Sequence, residues 1–157
     1  MRQKSIYLLL FIIVMSVASC KKDNWIDWKV QNEAWLAENK TKAGVVTTPS
    51  GLQYKVTRKG IAGVRPDALK SVRVNYTGKL ITGAVFESNE NVVFQVSSVI
   101  DGLAEGLGKM YKSGIYTFYI PADLGYGKDE QGSRSSINNY IPPYSTLIFE
   151  VELLDVY

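Results

Sequence analysis

The side chains that most often perform covalent chemistry are nearly absent from this sequence. It contains no histidine, and Cys20 is its single cysteine. Serine and cysteine nucleophiles are usually activated by histidine, and structural or catalytic zinc is usually held by histidine and cysteine. The residue inventory therefore excludes a histidine-based catalytic triad and a zinc site of the usual ligands, and we expect neither a cofactor nor a metal.

Two other patterns with chemical potential have ordinary explanations. Asp101 and Glu105 lie one helical turn apart, which is typical of a solvated helix face rather than of a pair of catalytic acids. The stretch EGLGKMYKSG, residues 105–114, is rich in glycine but lacks the Gly-Lys-Ser/Thr ending of a phosphate-binding loop. We therefore expect a function that makes and breaks no covalent bond.

The first twenty residues have the layout of an export signal. Arg2 and Lys4 precede an apolar run, residues 6–14, that is too short to span a bilayer. The following VASC resembles the lipobox of bacterial lipoproteins, in which cleavage precedes a cysteine whose thiol carries diacylglycerol. We expect residues 1–19 to be removed and Cys20 to anchor the protein at an inner or outer membrane of the cell envelope. The alternatives are an ordinary cleaved signal and a buried hydrophobic strand.

The charge balance of the mature chain argues against a nucleic-acid partner. Removal of residues 1–19 takes away Arg2 and Lys4 but no acidic residue, so the net charge falls from +3 to +1. A protein that binds nucleic acid through phosphates is expected to carry a basic stripe, and the sequence shows none.

A short helix and a linker are predicted to follow the anchor. The stretch DNWIDWKVQNEAWLAEN, residues 23–39, has apolar residues on one side of a helix that Asp23 could cap, namely Trp25, Trp28, Trp35 and Leu36. This stripe either packs against the globular domain or forms a partner surface. A polar stretch, residues 40–50, then links the helix to a domain that we expect over residues 51–157.

From Gly51 onwards the apolar period changes to two, which predicts half-buried strands. Strand patterns occur in GLQYKVTRKG, SVRVNYTGKL, NVVFQVS, GIYTFYIP and TLIFEVELLDV. Between them, VIDGLAEGLGKM has helical spacing but contains three glycines, so packing must stabilise it. The sequence therefore predicts an α+β fold with an antiparallel sheet of about five strands and one short helix.

Four motifs carry a resemblance to a known family. In order, VNYTGKLITGAVFESN, VIDGLAEGLGKMYKSG, IPADLGYG and YIPPYSTLIFEVELL resemble the FKBP-type peptidyl-prolyl cis-trans isomerases over residues 51–157. The lead-in AENKTKAGVVTTPSGLQYKVTRKG is similar to that of exported bacterial members, including the macrophage infectivity potentiators. The resemblance implies a bent sheet that wraps the short helix, with an apolar pocket for a proline ring between them.

The resemblance also implies which residues form that pocket. Its lining would comprise Tyr76, Phe86, Glu87, Val99, Ile100, Leu103, Tyr126, Ile141 and Phe149. The Ile100 amide and the Tyr126 hydroxyl would donate hydrogen bonds to substrate carbonyls, and the carboxylate of Glu87 would face the pocket. On pattern alone, Leu103 and Phe149 could equally be ordinary core residues.

At the expected site, two features of this sequence differ from those of many relatives. Leu103 stands where many relatives have tryptophan, so the pocket would be less tightly filled, and the loop over residues 128–139 is longer than in the smallest relatives.

Pro142 and Pro143 offer no amide for pairing and restrict Ile141 to extended geometry, which would hold it at the rim of the cleft. They could also serve only to break structure before the last strand.

The implied function is catalysis of X-Pro rotation during the folding of exported proteins. Its partners would be proline-containing unfolded polypeptides, the membrane through Cys20, and macrolide ligands of the tacrolimus and rapamycin type. The alternative from another class is a binding or chaperone module that keeps the fold but turns over little.

Overall fold

The structure, a computed structural model, describes residues 25–136 and 139–157. The export-signal pattern, Cys20 and the proposed helix cap Asp23 lie outside these residues. Within them, neither helix has the length and apolar composition needed to cross a bilayer.

The described residues form an antiparallel sheet with two α-helices, which confirms the α+β prediction. The strands follow the spatial order β1-β2-β5-β6-β3-β4, and every neighbouring pair is antiparallel. Their bounds are Val45–Thr47 (β1), Gln53–Arg58 (β2), Ser71–Lys79 (β3), Val85–Gln95 (β4), Ile115–Ile120 (β5) and Leu147–Val156 (β6). The helices are Ile26–Asn39 (α1) and Asp101–Leu107 (α2).

The described chain has six strands rather than about five, because β1 lies within the stretch predicted to be only a linker. Its three residues are too few to show an alternating pattern. They pair with the outer edge of β2, with Val45 opposite Lys55 and Thr47 opposite Gln53. Such a short strand forms because it hydrogen-bonds to β2, and its own three residues give no pattern that predicts it.

Helix α2 packs on the inner face of the sheet in spite of its glycines. A Cβ atom on Gly106 would lie 2.7 Å from two atoms of the Phe118 ring on β5. Glycine therefore lets the helix axis come close to the strand, and the buried Leu103 and Leu107 add apolar contact. Tertiary packing stabilises this helix, as its poor intrinsic propensity requires.

Helix α1 lies against the domain, which confirms the packing interpretation of the tryptophan stripe. The Trp35 ring contacts Tyr119 with centroids 5.6 Å apart, and Trp28 Nε1 donates to Ser145 Oγ at 3.0 Å. The two most deeply buried positions of this helix are nevertheless Asn32 and Asn39, both 2% exposed. The apolar pattern did not predict these two polar residues at the contact.

Candidate functional site

A cavity of about 350 Å³ opens between the inner face of the sheet and the start of α2. Strands β3, β4 and β6 form one wall, and the turn that follows β5 supplies another side. The lining residues are Tyr76, Glu87, Phe94, Ser98, Val99, Ile100, Leu103, Tyr126 and Phe149. Seven of the nine lining side chains are aromatic or aliphatic, and Glu87 and Ser98 are polar, which is a usual combination at a small-ligand site.

The structure brings seven of the nine predicted site residues to this cavity. The exceptions are Phe86 and Ile141, which are buried but do not belong to the lining. Phe86 is 7% exposed, and its ring centroid lies 5.6 Å from that of Phe149 at an interplanar angle of 78°, so it packs against a residue that lines the cavity. Ile141 is 5% exposed and belongs to the core cluster. Its backbone exchanges two hydrogen bonds with Gln131, so the stretch before the prolines is held by this bridge.

The aromatic wall follows from strand alternation. Tyr76 and Phe149 point inward from the paired strands β3 and β6, and their ring centroids are 5.9 Å apart. Phe94 on β4 adds an edge-on contact to Tyr76 at 6.4 Å. Tilted and edge-on pairs of this kind are favoured by the ring quadrupoles and hold each ring in one orientation.

Gly78 makes this wall possible. It follows Tyr76 on the inner face of β3 and pairs with Glu87 on one side and Phe149 on the other. A Cβ atom here would lie 2.5 Å from Phe86 Cε2 and 3.2 Å from Phe149 Cε1. The two rings therefore occupy the space that any other side chain at this position would need.

A polar network borders the cavity. The Tyr76 hydroxyl donates to Glu87 Oε1 at 2.6 Å, and Asn89 Nδ2 donates to Tyr76 Oη at 2.9 Å and to Glu87 Oε1 at 3.1 Å. Burial, followed by the hydrogen bond to Glu87, raises the pKa of Tyr76 to about 12, while Asn89 acts in the opposite direction. These three residues hold one another in place, so the Glu87 carboxylate has a defined position at the cavity.

Two donors at the cavity have no hydrogen-bond partner among the residues that the structure describes. Among the described residues, no hydrogen bond uses the Tyr126 hydroxyl or the Ile100 N–H. Burial and the charge of Glu87 raise the pKa of Tyr126, so this phenol keeps its proton at neutral pH. Ile100 directly precedes α2, and its carbonyl accepts from Leu103 and Ala104. Both donors are therefore available to a ligand that carries carbonyl groups.

Sequence reasoning missed Phe94, Ser98, Asn89 and Gly78. The alternation of β4 could have indicated Phe94, because Val92 and Phe94 are its partly buried positions after the bend. Ser98 is the last residue of the short 3₁₀ turn Val96–Ser98, and the apolar pattern does not predict this turn. In the part of the chain that the structure describes, no group of three metal-ligating side chains is present.

The described part of the loop over residues 128–139 contacts Trp25, the residue directly before α1. Tyr140 Oη and Arg134 Nε both donate to Glu130 Oε2 at 2.8 Å. The Arg134 guanidinium lies 5.4 Å from the Trp25 ring centroid. The described part of the predicted 128–139 loop is therefore attached to the helix that precedes the domain.

Comparison with known proteins gives the same assignment at the level of the family. Residues 63–154, more than half of the chain, match the family model described as FKBP-type peptidyl-prolyl cis-trans isomerase. Residues 15–56 match the model of the domain amino-terminal to FKBP-type peptidyl-prolyl isomerase.

Individual relatives and structures agree with these matches. The outer membrane protein MIP of Legionella longbeachae is 42% identical over 132 residues, which cover 82% of this chain and 54% of that protein. The FKBP-type 22 kDa peptidyl-prolyl cis-trans isomerase of Escherichia coli is 45% identical over 126 residues, covering 78% and 58%. The crystal structure of FkpA from Escherichia coli superimposes with a TM-score of 0.74 at 37% identity, covering 83% and 59%. The chain spans about half the length of the curated relatives it matches.

Proposed function

Because this chain belongs to the family of FKBP-type peptidyl-prolyl cis-trans isomerases, we propose that it accelerates rotation about X-Pro bonds in unfolded or partly folded exported proteins. One observation carries the proposal. An aromatic-walled cavity holds two hydrogen-bond donors, Tyr126 Oη and the Ile100 N–H, that have no partner in the described part of the chain. The cavity suits a proline ring, and the donors suit the carbonyl groups beside it.

The reaction needs only what this cavity contains. Rotation about an amide costs about 18–20 kcal/mol because the twisted state loses resonance, and an unassisted X-Pro bond takes tens to hundreds of seconds. The planar amide is the more polar state, since resonance separates its charge. An apolar enclosure therefore disfavours the planar state relative to the twisted one. Fixed donors that engage the substrate carbonyls hold the chain in the geometry of the twist.

Each part of the site has a role in this scheme. Tyr76, Phe149 and Leu103 would surround the proline ring, with Phe86 holding Phe149 in position. Ile100 and Tyr126 would orient the substrate, and no bond to the protein would form. The same cavity would accept macrolides of the tacrolimus and rapamycin type, and Leu103 in place of tryptophan would leave a less filled floor and weaken their binding.

The test of this function is the replacement of Tyr126 by phenylalanine. We expect kcat/KM on an X-Pro peptide to fall roughly three- to tenfold, because one hydrogen bond contributes about 0.5–1.5 kcal/mol. Exchange between cis and trans peptide signals, followed by NMR, measures the rate without a coupled protease. Tyr157→Phe is the matched control, because Tyr157 is 55% exposed and lies outside the cavity.

The same exchange measurement also distinguishes an isomerase from the alternative function, a binding module without turnover. Wild-type protein that binds proline peptides but leaves the exchange at its spontaneous rate would show that the cavity is a binding module without turnover. If wild-type activity is present and Tyr126→Phe leaves it unchanged, the assignment of the Tyr126 hydroxyl as a substrate donor is wrong.

We further propose that the protein is held at the cell envelope by lipid on Cys20. The VASC pattern supports this proposal, and one relative is named an outer membrane protein. We expect a labelled fatty acid to be incorporated into the wild type and into Ser19→Ala, which keeps a small residue before the cysteine, but not into Cys20→Ala. Label that persists in Cys20→Ala, or that is absent from the wild type, would refute the anchor. Mass spectrometry of the mature N-terminus gives an independent reading.

A further inference from the structure

We propose that α1 is a positioning element of the cavity: through Trp28 and Asn32 it holds residues 142–146, which in turn fix the position of Tyr126. This inference rests on the proposed function, because it concerns the donor that would orient the substrate. It assigns a role in the reaction to a helix that lies outside the cavity and contributes none of its lining residues.

Asn32 is the centre of the contact. Its Oδ1 accepts a hydrogen bond from the Thr146 backbone N–H at 2.7 Å, and Asn32 and Thr146 are 2% and 1% exposed. A buried N–H without a hydrogen-bond partner costs considerable free energy. The hydrogen bond to Asn32 therefore favours the observed position of the Thr146 backbone. The asparagine thus acts as the hydrogen-bond partner of a backbone group that precedes β6.

Neighbouring contacts hold the same segment. Trp28 Nε1 donates to Ser145 Oγ at 3.0 Å, and Ser145 Oγ donates to the Pro142 carbonyl at 2.7 Å. The Lys29 ammonium lies 5.4 Å from the Tyr144 ring centroid. Three consecutive residues of the segment, 144 to 146, therefore each contact α1.

The segment is connected directly to the cavity. The Tyr144 N–H donates to the Gly127 carbonyl at 2.7 Å, and the Gly127 N–H donates to the Ala122 carbonyl at 2.8 Å. Gly127 is the residue after Tyr126, whose side chain lines the cavity. A displacement of Tyr144 would therefore move the backbone that carries the Tyr126 hydroxyl.

The backbone of Tyr144 shows why outside support is needed. Its φ angle of +62° lies in the left-handed region, which bulky residues rarely occupy. Such a conformation persists only where the surroundings determine it. Helix α1 supplies part of those surroundings through Lys29, Trp28 and Asn32.

The opposite end of α1 provides an internal control. Asn39 Nδ2 donates to Gln53 Oε1 at 3.0 Å, and Gln53 Nε2 donates to the Leu36 carbonyl at 3.0 Å. This contact attaches the helix to β2, and it does not touch residues 142–146. Asn32 and Asn39 are equally buried and lie on the same helix. They differ chiefly in their hydrogen-bond partners, which are Thr146 for Asn32 and Gln53 for Asn39.

The experiment compares Asn32→Leu with Asn39→Leu in the full chain. Both changes leave a buried polar group without its partner, so we expect both to lower the Tm. Only Asn32→Leu should lower kcat/KM on an X-Pro peptide, by roughly threefold or more at a temperature where both variants are folded. Only Asn32→Leu should shift the amide NMR signals of Tyr126 and Gly127. Trp28→Phe, which keeps the ring but removes the donor to Ser145, should produce the same changes in milder form, and Trp35→Phe should not.

The two readouts separate this inference from the proposed function. Equal losses of activity in the two asparagine variants, or unchanged Tyr126 and Gly127 signals in Asn32→Leu, would show that α1 only stabilises the fold. If the wild type lacks isomerase activity, the proposed function fails, and the amide signals still decide whether α1 positions Tyr126. If Asn32→Leu does not fold, Trp28→Phe compared with Trp35→Phe gives the decision.

Discussion

Replacement of Gly78 by alanine is expected to disrupt the cavity although it adds a single methyl group. The added Cβ would lie 2.5 Å from Phe86 Cε2 and 2.6 Å from Phe86 Cζ, closer than nonbonded carbon atoms can approach. Hydrogen-bond pairing with both β4 and β6 prevents the backbone from moving away. Phe86 must then move from its contact with Phe149, so the wall of the cavity shifts.

The expected size of this effect follows from the cost of overpacking. Extra volume in a close-packed core destabilises by about 1–3 kcal/mol, which for a chain of this size lowers the Tm by roughly 3–10 °C. We expect kcat/KM to fall by about tenfold or more, because a small displacement of a positioning wall is costly for an oriented substrate. Thermal denaturation and the peptide exchange rate measure the two effects.

A glycine in open surroundings serves as the control. At Gly63 the nearest atom to an added Cβ is the Ile61 carbonyl oxygen at 4.0 Å. Gly63→Ala should therefore change the free energy of unfolding by less than about 0.5 kcal/mol. Unchanged stability and activity in Gly78→Ala would mean that the two rings can move aside freely, and the wall would not depend on this glycine.

Replacement of Phe149 by leucine is expected to separate the activity of the cavity from the stability of the core. Phe149 lies at the junction of the Tyr76 and Phe86 rings, and it also lines the cavity. Leucine would remove about 40–60 Å² of apolar contact with a bound proline ring, or about 1–1.5 kcal/mol. We expect kcat/KM to fall by roughly tenfold, measured by peptide exchange.

Phe118→Leu is the matched control for this change. Phe118 pairs with Phe149 across β5 and β6, is fully buried, and packs against α2 at Gly106 without lining the cavity. Both variants should lose similar stability, about 1–2 kcal/mol by the loss of ring contacts. An equal loss of activity per folded molecule in both would contradict a specific role for Phe149 in the site.

Strand alternation and residue types account for most of what could be predicted. Period-two patterns identify which side chains of β3 and β6 point inward, since successive side chains of a strand face opposite sides. Tyr76 and Phe149 were assigned to the correct face for this reason. Seven of the nine site residues that the resemblance to the FKBP-type family implies line one cavity, and the absence of histidine from the sequence indicates noncovalent chemistry.

The predicted and the observed lining differ in which inward-facing side chains reach the cavity surface. Phe86 and Ile141 are buried in the core cluster as inward-facing residues, but neither is among the residues that line the cavity. Phe94, which is absent from the predicted site, lines the cavity. Alternation defines the face of the sheet on which a side chain lies. It contains no information about which of several inward-facing side chains lines the cavity.

The sequence by itself determined the noncovalent class of chemistry, the α+β composition and the inward faces of the strands, because these depend on residue type and local periodicity. Only the tertiary structure decided that the rings of Phe86 and Phe149 pack against Gly78 and that Asn32 accepts a hydrogen bond from the Thr146 N–H. The contact of Asn32 joins residues 114 positions apart. Such a contact depends on how separate elements pack, and no local pattern encodes the distance between elements.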